Sequence, residues 1–146
     1  TDFQGAACWA AAPTQPDCAG GIFDASGVDL PNSPDWTVSL QGRYEHGVSA
    51  NLMGFITANW FWQSEVNDSL GDPNMVRDAY GLLGGSIGVE DHEGRWQASV
   101  FVRNALDEHY TGTIIATPLA AGSYSQTPVE DAERLFGVAV EYRFSE

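Results

Sequence analysis

Two cysteines, three histidines and a large set of carboxylates are the residues of this 146-residue chain that could carry chemistry. Cys8 and Cys18 lack the CxxC spacing of a metal or redox motif, and no histidine lies near them. His46, His92 and His109 are scattered, which predicts solvated turn or strand-end positions rather than a ligand cluster. No Ser/His/Asp or Cys/His arrangement suggests a nucleophile. We therefore expect no catalytic residues, no metal centre and no cofactor.

Carboxylates crowd three stretches of the chain. A solvated outer surface is one interpretation. A divalent-cation site is the other, because clustered carboxylates offer the hard oxygen ligands that such ions prefer. The EF-hand pattern is missing, so no ligand set is assigned and both interpretations stay open. The residues concerned are Asp17, Asp24, Asp29, Glu65, Asp68, Asp72, Asp78, Asp107, Glu108, Glu130, Asp131 and Glu133.

The charge balance excludes several classes of function. All six basic residues are arginines, and they face twenty Asp and Glu, which gives a formal net charge of −14. Broad binding to a nucleic-acid backbone needs a basic face, so we expect no nucleic-acid partner. The lack of lysine also excludes a P-loop and Schiff-base chemistry.

Alternating apolar residues are the strongest structural signal in the sequence, and the C-terminal stretch shows them best. From residue 136 to 144 the even positions are large and apolar, whereas the odd positions are small or charged. This two-residue period predicts a strand with one wholly apolar face. The residues of that face are Phe136, Val138, Val140, Tyr142 and Phe144.

Four upstream segments repeat the alternation. Residues 52–62 also fit a helical spacing, but they lack a helix cap and are rich in aromatic residues, so we predict a strand. The apolar positions of the four segments are Trp36, Val38, Leu40 and Tyr44; Ala50, Leu52, Ile56, Ala58, Trp60 and Trp62; Ala79, Leu83, Ile87 and Val89; and Trp96, Ala98, Val100 and Val102.

Short and long connections alternate between these segments. Residues 45–47 and 91–94 each contain a glycine and predict tight hairpin turns, whereas residues 8–34, 64–78 and 107–133 are long. Short turns at one end and long loops at the other are typical of outer-membrane barrels. We predict an all-β fold: an antiparallel meander of about six strands that forms a section of a transmembrane β-barrel wall.

Aromatic residues fall at both ends of the predicted strands. Trp60 and Trp62 precede a long loop, whereas Tyr44, Trp96, Tyr142 and Phe144 lie beside the short turns. Such residues form girdles at membrane–water boundaries. The core of a soluble sandwich is the alternative interpretation.

Three segments resemble motifs of TonB-dependent outer-membrane receptors, in the same order. Residues 30–37, LPNSPDWT, resemble the L-P-x-x-P-x-x-T stretch before a late strand. Residues 96–110, WQASVFVRNALDEHY, resemble W-x-(x)-x-x-F-x-x-N-L-x-D-x-x-Y. Residues 134–144, RLFGVAVEYRF, resemble the terminal R-x-F-G-V-x-x-x-Y-x-F.

This resemblance implies an origin for the whole chain. Residues 1–146 would be the C-terminal segment of a 22-stranded receptor barrel, without its plug domain. The first residues have neither an initiator methionine nor a signal peptide, so we expect a fragment whose upstream part is missing.

The resemblance also implies a function. Such receptors lie in the outer membrane of Gram-negative bacteria and take up siderophores, haem, cobalamin or oligosaccharides, powered through TonB. Implied partners are outer-membrane lipid, the rest of the same receptor (plug and remaining strands), TonB through the plug, and the barrel-assembly machinery at the C-terminal strand. In that oxidising compartment Cys8 and Cys18 are expected to form a loop disulfide, with free or metal-binding thiols as the alternative.

Two other classes of function stay in view. A soluble or surface β-sandwich could use its long loops for recognition. An enzyme on a small outer-membrane barrel is disfavoured, because the sequence lacks a catalytic constellation.

Overall fold

The computed structural model describes residues 2–9, 18–117, 120, 122–129 and 133–144, and the secondary structure of this part is entirely β. The predicted all-β class is confirmed. No helix in the described residues is long and apolar enough to cross a membrane. The strands are β1 (Gln4–Ala7), β2 (Cys18–Ala19), β3 (Ile22–Asp24), β4 (Thr37–Ser49), β5 (Leu52–Gln63), β6 (Val66–Asn67), β7 (Val76–Arg77), β8 (Tyr80–Asp91), β9 (Trp96–Arg103), β10 (Thr111–Ala116), β11 (Tyr124–Pro128) and β12 (Leu135–Tyr142).

The chain divides into two compact units, which are described separately. The first, called the loop unit, comprises Thr1–Trp36, Ser64–Ala79 and Tyr110–Val129. The second comprises the rest of the chain and contains the five long strands.

The five long strands form one antiparallel sheet, called the main sheet, in the order β12-β9-β8-β5-β4. Each strand pairs with the next long strand along the chain, which is the predicted meander. Residues 52–63 form β5 and not a helix. The main sheet has five strands, where about six were predicted; the first strand of the chain, Gln4–Ala7, pairs with β3 in the loop unit.

Short turns join the strands at one end of the main sheet. Ala50 and Asn51 form the turn between β4 and β5, and residues 92–95 connect β8 to β9. The two turns are neighbours, because the His92 N–H donates a hydrogen bond to the Asn51 carbonyl at 3.4 Å. At the opposite end the chain leaves the sheet after Gln63 and returns at Tyr80.

Two strand ends differ from the sequence prediction. Residues 45–47 do not form a turn: β4 continues to Ser49, with an irregularity in register near Gly47. The glycine marks this irregularity and not the hairpin. At the other end of the chain, β12 stops at Tyr142, so Phe144, which the sequence placed in this strand, lies just beyond it.

The loop unit contains three small sheets and a small core. Strands β1, β3 and β2 form one sheet, β6 pairs with β7, and β10 pairs with β11. Phe23 is buried with Ala6 and Ala25, and its ring occupies the space beside Gly71. The backbone of Gly71 has a φ of 73°, which favours glycine.

Glycines in the main sheet leave room for side chains of the neighbouring strands. The Phe55 ring lies against Gly88, Phe101 lies against Gly137, and the Asn59 amide lies against Gly84. Phe55 is only 3% exposed although it lies on a sheet face. In the Phe55–Gly88 and Phe101–Gly137 pairs, an aromatic ring covers the glycine of the neighbouring strand, a cross-strand contact that stabilises sheets.

Gly88→Ala should destabilise the main sheet by roughly 1–3 kcal/mol, because overpacking forces neighbours to move. The added carbon would lie 2.5 Å from the Ala98 carbonyl oxygen and 2.6 Å from the Phe55 ring. Gly42→Ala is the matched control, since its added carbon meets nothing within 4 Å. Urea unfolding of the full-length protein, followed by tryptophan fluorescence, compares the two variants. Equal unfolding midpoints would contradict this account.

Candidate membrane-facing surface

One face of the main sheet is apolar over all five strands. The strand registers place every second residue on this surface, which we call the apolar face. His46 and Asp91 are its only polar members, both near the short turns. The face consists of Val38, Leu40, Gly42, Tyr44, His46 and Val48; Leu52, Gly54, Ile56, Ala58, Trp60 and Trp62; Gly81, Leu83, Gly85, Ile87, Val89 and Asp91; Trp96, Ala98, Val100 and Val102; and Phe136, Val138, Val140 and Tyr142.

The centre of the apolar face is exposed. Tyr44, Ile56, Ile87, Val100 and Val138 are aligned in register, one from each strand, and are 52–74% exposed. A water-soluble protein seldom leaves a continuous row of large apolar side chains uncovered.

The final strand carries the residues that the sequence assigned to a membrane-facing surface. Phe136, Val138, Val140 and Tyr142 lie on the apolar face of β12 and are exposed. Phe144 is 88% exposed, and its ring meets that of Tyr142 edge to face at 4.8 Å. The alternation in β12 therefore places four of the five predicted side chains on the strand, with the fifth beside it.

Aromatic side chains stand at both ends of the apolar face. Near the long connections, the rings of Trp60 and Trp62 both lie next to Gly81. Each ring is 3.4 Å from the point that a Cβ atom of residue 81 would occupy. At the short-turn end, Trp96 and Tyr142 are register partners. Tyr44, which the sequence also placed there, lies in the central row opposite Ile56, because β4 continues to Ser49. Rings with one dry and one wet edge favour such boundary positions.

The opposite face of the main sheet, called the polar face, carries the polar residues of the strands together with apolar ones such as Phe55, Phe61 and Leu82. Side-chain contacts join its strands. The Thr57 and Ser86 hydroxyls are hydrogen-bonded at 2.7 Å between β5 and β8. Arg43 stacks over the Phe55 ring at 4.1 Å and pairs with Glu90 at 2.7 Å. Glu45 contributes a second carboxylate to Arg43. These contacts join β4, β5 and β8 on one side of the sheet only.

The three histidines lie in different elements, whereas the two cysteines are bonded to each other. His46 lies within β4, His92 lies in a short turn, and His109 follows β9. Cys8 and Cys18 are joined by a disulfide, with their Cα atoms 5.8 Å apart.

Some carboxylates of the loop unit are engaged by protein groups. Asp72 is 2% exposed and accepts hydrogen bonds from the Asn74 backbone and side chain and from the Tyr124 hydroxyl. Asp68 binds Arg77 and the backbone N–H of Ile114. Among the described residues, no group of three or more His, Cys, Asp or Glu side chains is arranged to hold a metal ion. Asp17, Glu130 and Asp131 lie outside the described residues.

Sequence reasoning missed the Arg43–Phe55–Glu90 contact, and it listed Asp68 and Asp72 without their partners on β10 and β11. Arg43 and Glu90 are 47 residues apart, and Asp72 and Tyr124 are 52 apart. A two-residue period gives the face of a residue but not its partner on another strand. The one available signal was an apolar Phe55 among polar neighbours, opposite a glycine-rich strand.

Comparisons of the chain with protein-family models, with curated proteins and with solved structures give no match. The inferences below therefore depend on the residues and their geometry.

The pH dependence of Tyr124 tests the loop geometry. Its partial burial, together with the hydrogen bond that it donates to Asp72, raises the pKa of the phenol above the usual 10.0. The folded loop thus favours the protonated phenol. The stability this gives is complete below the unfolded pKa of about 10 and is lost as the pH rises through the folded value.

We expect the difference in tyrosine absorbance between the native protein and Tyr124→Phe to titrate above pH ~10. A Tyr124 difference that titrates at or below the ordinary phenol value would contradict the buried hydrogen bond.

Proposed function

We propose that the chain forms part of the wall of an outer-membrane β-barrel of the TonB-dependent receptor class. In that role it takes part in the uptake of a scarce nutrient across the outer membrane of a Gram-negative bacterium. The nutrient belongs to the siderophore, haem, cobalamin or oligosaccharide class.

The exposed apolar face carries this proposal. If lipid covered the central row of this face, its apolar side chains would leave water, and that transfer is favourable in free energy. The polar face would then line the interior, where its hydroxyl and ion-pair contacts are suited to an aqueous or protein-filled lumen.

Strand length and connection length support the same proposal. β5 and β8 have 12 residues each. At a rise of about 3.3 Å per residue and a tilt of about 45°, such strands span roughly 28 Å, close to the apolar band of an outer-membrane barrel. The short turns and long connections are segregated at opposite ends of the sheet, as in such barrels.

The motif-like segments coincide with strand boundaries. Thr37, the last residue of the L-P-x-x-P-x-x-T-like stretch, begins β4. The second segment contains β9 and the turn at Asn104, where φ is 45°. The third contains β12. This agreement favours the receptor class over an unrelated barrel.

The proposed partners follow from this class. Lipid covers the apolar face, and further strands of the same receptor pair with the outer edges of β4 and β12. Within the described part of the chain no strand pairs with either edge. The plug domain connects the barrel to TonB, and the assembly machinery acts on the last strand.

The alternative function, a soluble β-sandwich, requires different surroundings for the apolar face. A second sheet would have to cover it and pack closely against its side chains. The two proposals therefore differ in whether an enlarged side chain on this face is tolerated.

Val140→Arg should impair outer-membrane assembly of the full-length protein at a cost of up to about 2–4 kcal/mol, because a charge on the lipid face is expensive. Ala139→Arg is the matched control, since residue 139 lies on the opposite face and is exposed. Heat-modifiable gel mobility of outer-membrane fractions measures folded barrel. Equal loss of folded barrel in the two arginine variants would contradict the assignment of the faces.

Val140→Leu decides between lipid and a packed core. A lipid-facing position has room for an added methylene, whereas a close-packed core resists it. We expect Val140→Leu to assemble like the native protein. If it fails as badly as Val140→Arg, the face is packed against protein and the barrel proposal is wrong.

Uptake measurements test the transport part separately. Radioiron-loaded siderophores, haem, cobalamin and maltodextrins would be offered to cells with and without the gene, and with and without TonB. We expect uptake of one class to require both. Uptake of all four classes that is independent of the gene would contradict transport, even if the barrel assembles.

A further inference from the structure

Two buried carboxylates connect separate segments of the loop unit. Asp68 follows β6, and its Oδ2 atom accepts a hydrogen bond from the Ile114 N–H in β10 at 2.6 Å. Its other oxygen pairs with the Arg77 guanidinium at 2.8 Å. The Asp68 side chain is 5% exposed, so water competes little for these contacts. Asp68 thus attaches the connection between β5 and β8 to the first strand of the β10–β11 pair.

Asp72 makes a second attachment to the other strand of this pair. Its Oδ2 atom accepts a hydrogen bond from the Tyr124 hydroxyl in β11 at 3.0 Å. Its Oδ1 atom accepts bonds from the Asn74 backbone N–H at 2.9 Å and side-chain amide at 3.0 Å. The same Asn74 amide also donates to the Tyr124 hydroxyl oxygen at 3.3 Å. The Asp72 carboxylate is therefore held in orientation by Asn74 of its own loop and bonded to Tyr124 of β11.

The two attachments lie close together on the strand pair. Ile114 pairs with Gln126, and Ala116 pairs with Tyr124, so two ladder positions separate the contacts. Apart from the buried side chain of Ile114, the remaining strand residues are mostly exposed. The β10 strand also lies against β7, so the aspartate bonds add to a strand contact in holding the pair.

The segments that lead into and out of the strand pair are joined by a separate contact. The Arg134 backbone N–H and guanidinium both lie 3.3 Å from Asp107 carboxylate oxygens. Asp107 follows β9 and Arg134 precedes β12. This contact does not involve Asp68 or Asp72, so it would persist if their contacts were broken.

We propose that Asp68 and Asp72 form a two-point latch that fixes the β10–β11 strands to the connection between β5 and β8. While the latch is closed, the β10–β11 strands and the connection between β5 and β8 move together. When it is broken, the β10–β11 strands detach while the main sheet stays folded. The inference does not depend on membrane insertion, so it stands or falls separately from the proposed function.

Hydrogen exchange in the full-length protein tests the latch. Asp68→Asn removes the charge that Arg77 and Ile114 contact, and Tyr124→Phe removes only the hydroxyl that contacts Asp72. Each should accelerate amide exchange in β10 and β11 about tenfold, since a hydrogen bond to a charged group contributes about that factor or more. The double variant should accelerate it about a hundredfold, with exchange in β5 and β8 unchanged.

Gln126→Ala is the control, because it alters an exposed side chain on β11 without touching either aspartate contact. Two results would overturn the latch. One is a double variant that exchanges no faster than this control. The other is acceleration that extends equally to β5 and β8, which would mean that the whole fold is weakened. Tyr124→Phe lacks a single oxygen atom, so its failure to fold would also count against a separable latch.

Discussion

The hydrogen-bonded register of the main sheet decides on which face every side chain lies. Twelve consecutive pairs from Leu52↔Asp91 to Gln63↔Tyr80 join β5 to β8 without interruption. A slip of one residue would move Ile87 to the polar face and Ser86 to the apolar one. The difference between the two faces therefore depends on a backbone ladder that is continuous from the short turns to the long connections.

The two faces differ in how their side chains are stabilised. On the polar face Phe55 is covered by Arg43 and fills the space beside Gly88, so an apolar ring is buried among charges. On the apolar face Ile56 and Ile87 are more than half exposed. In the described part of the chain, side-chain hydrogen bonds and an ion pair join β4, β5 and β8 on the polar face, whereas the central row of the apolar face is exposed. That asymmetry is physically sensible where the uncovered side meets a solvent that is itself apolar.

The sequence allowed the faces of the strands to be predicted, but not all of their ends. The alternation through Ile56 and Trp60 identified β5 against a competing helical spacing, because the two-residue period continues to Trp62. It failed at Gly47, since a glycine marks either a turn or a disturbed strand register, and only the pairing with Met53 distinguishes them. The same limit applied to the loops. The partner of Asp72 lies 52 residues away on β11, and no local pattern encodes that contact.

The scarcity of positive charge explains how the loops hold their carboxylates. Four of the six arginines pair with acids at most nine residues away, as Arg77 does with Asp68, and Arg43 also pairs with Glu90 across β5. A net charge of −14 leaves most carboxylates without a cation of their own. Asp72 is buried nonetheless, because neutral donors from Asn74 and Tyr124 occupy both of its oxygens. Such bonds stabilise a carboxylate without a counter-charge. A strongly acidic chain can therefore order its loops locally with neutral donors.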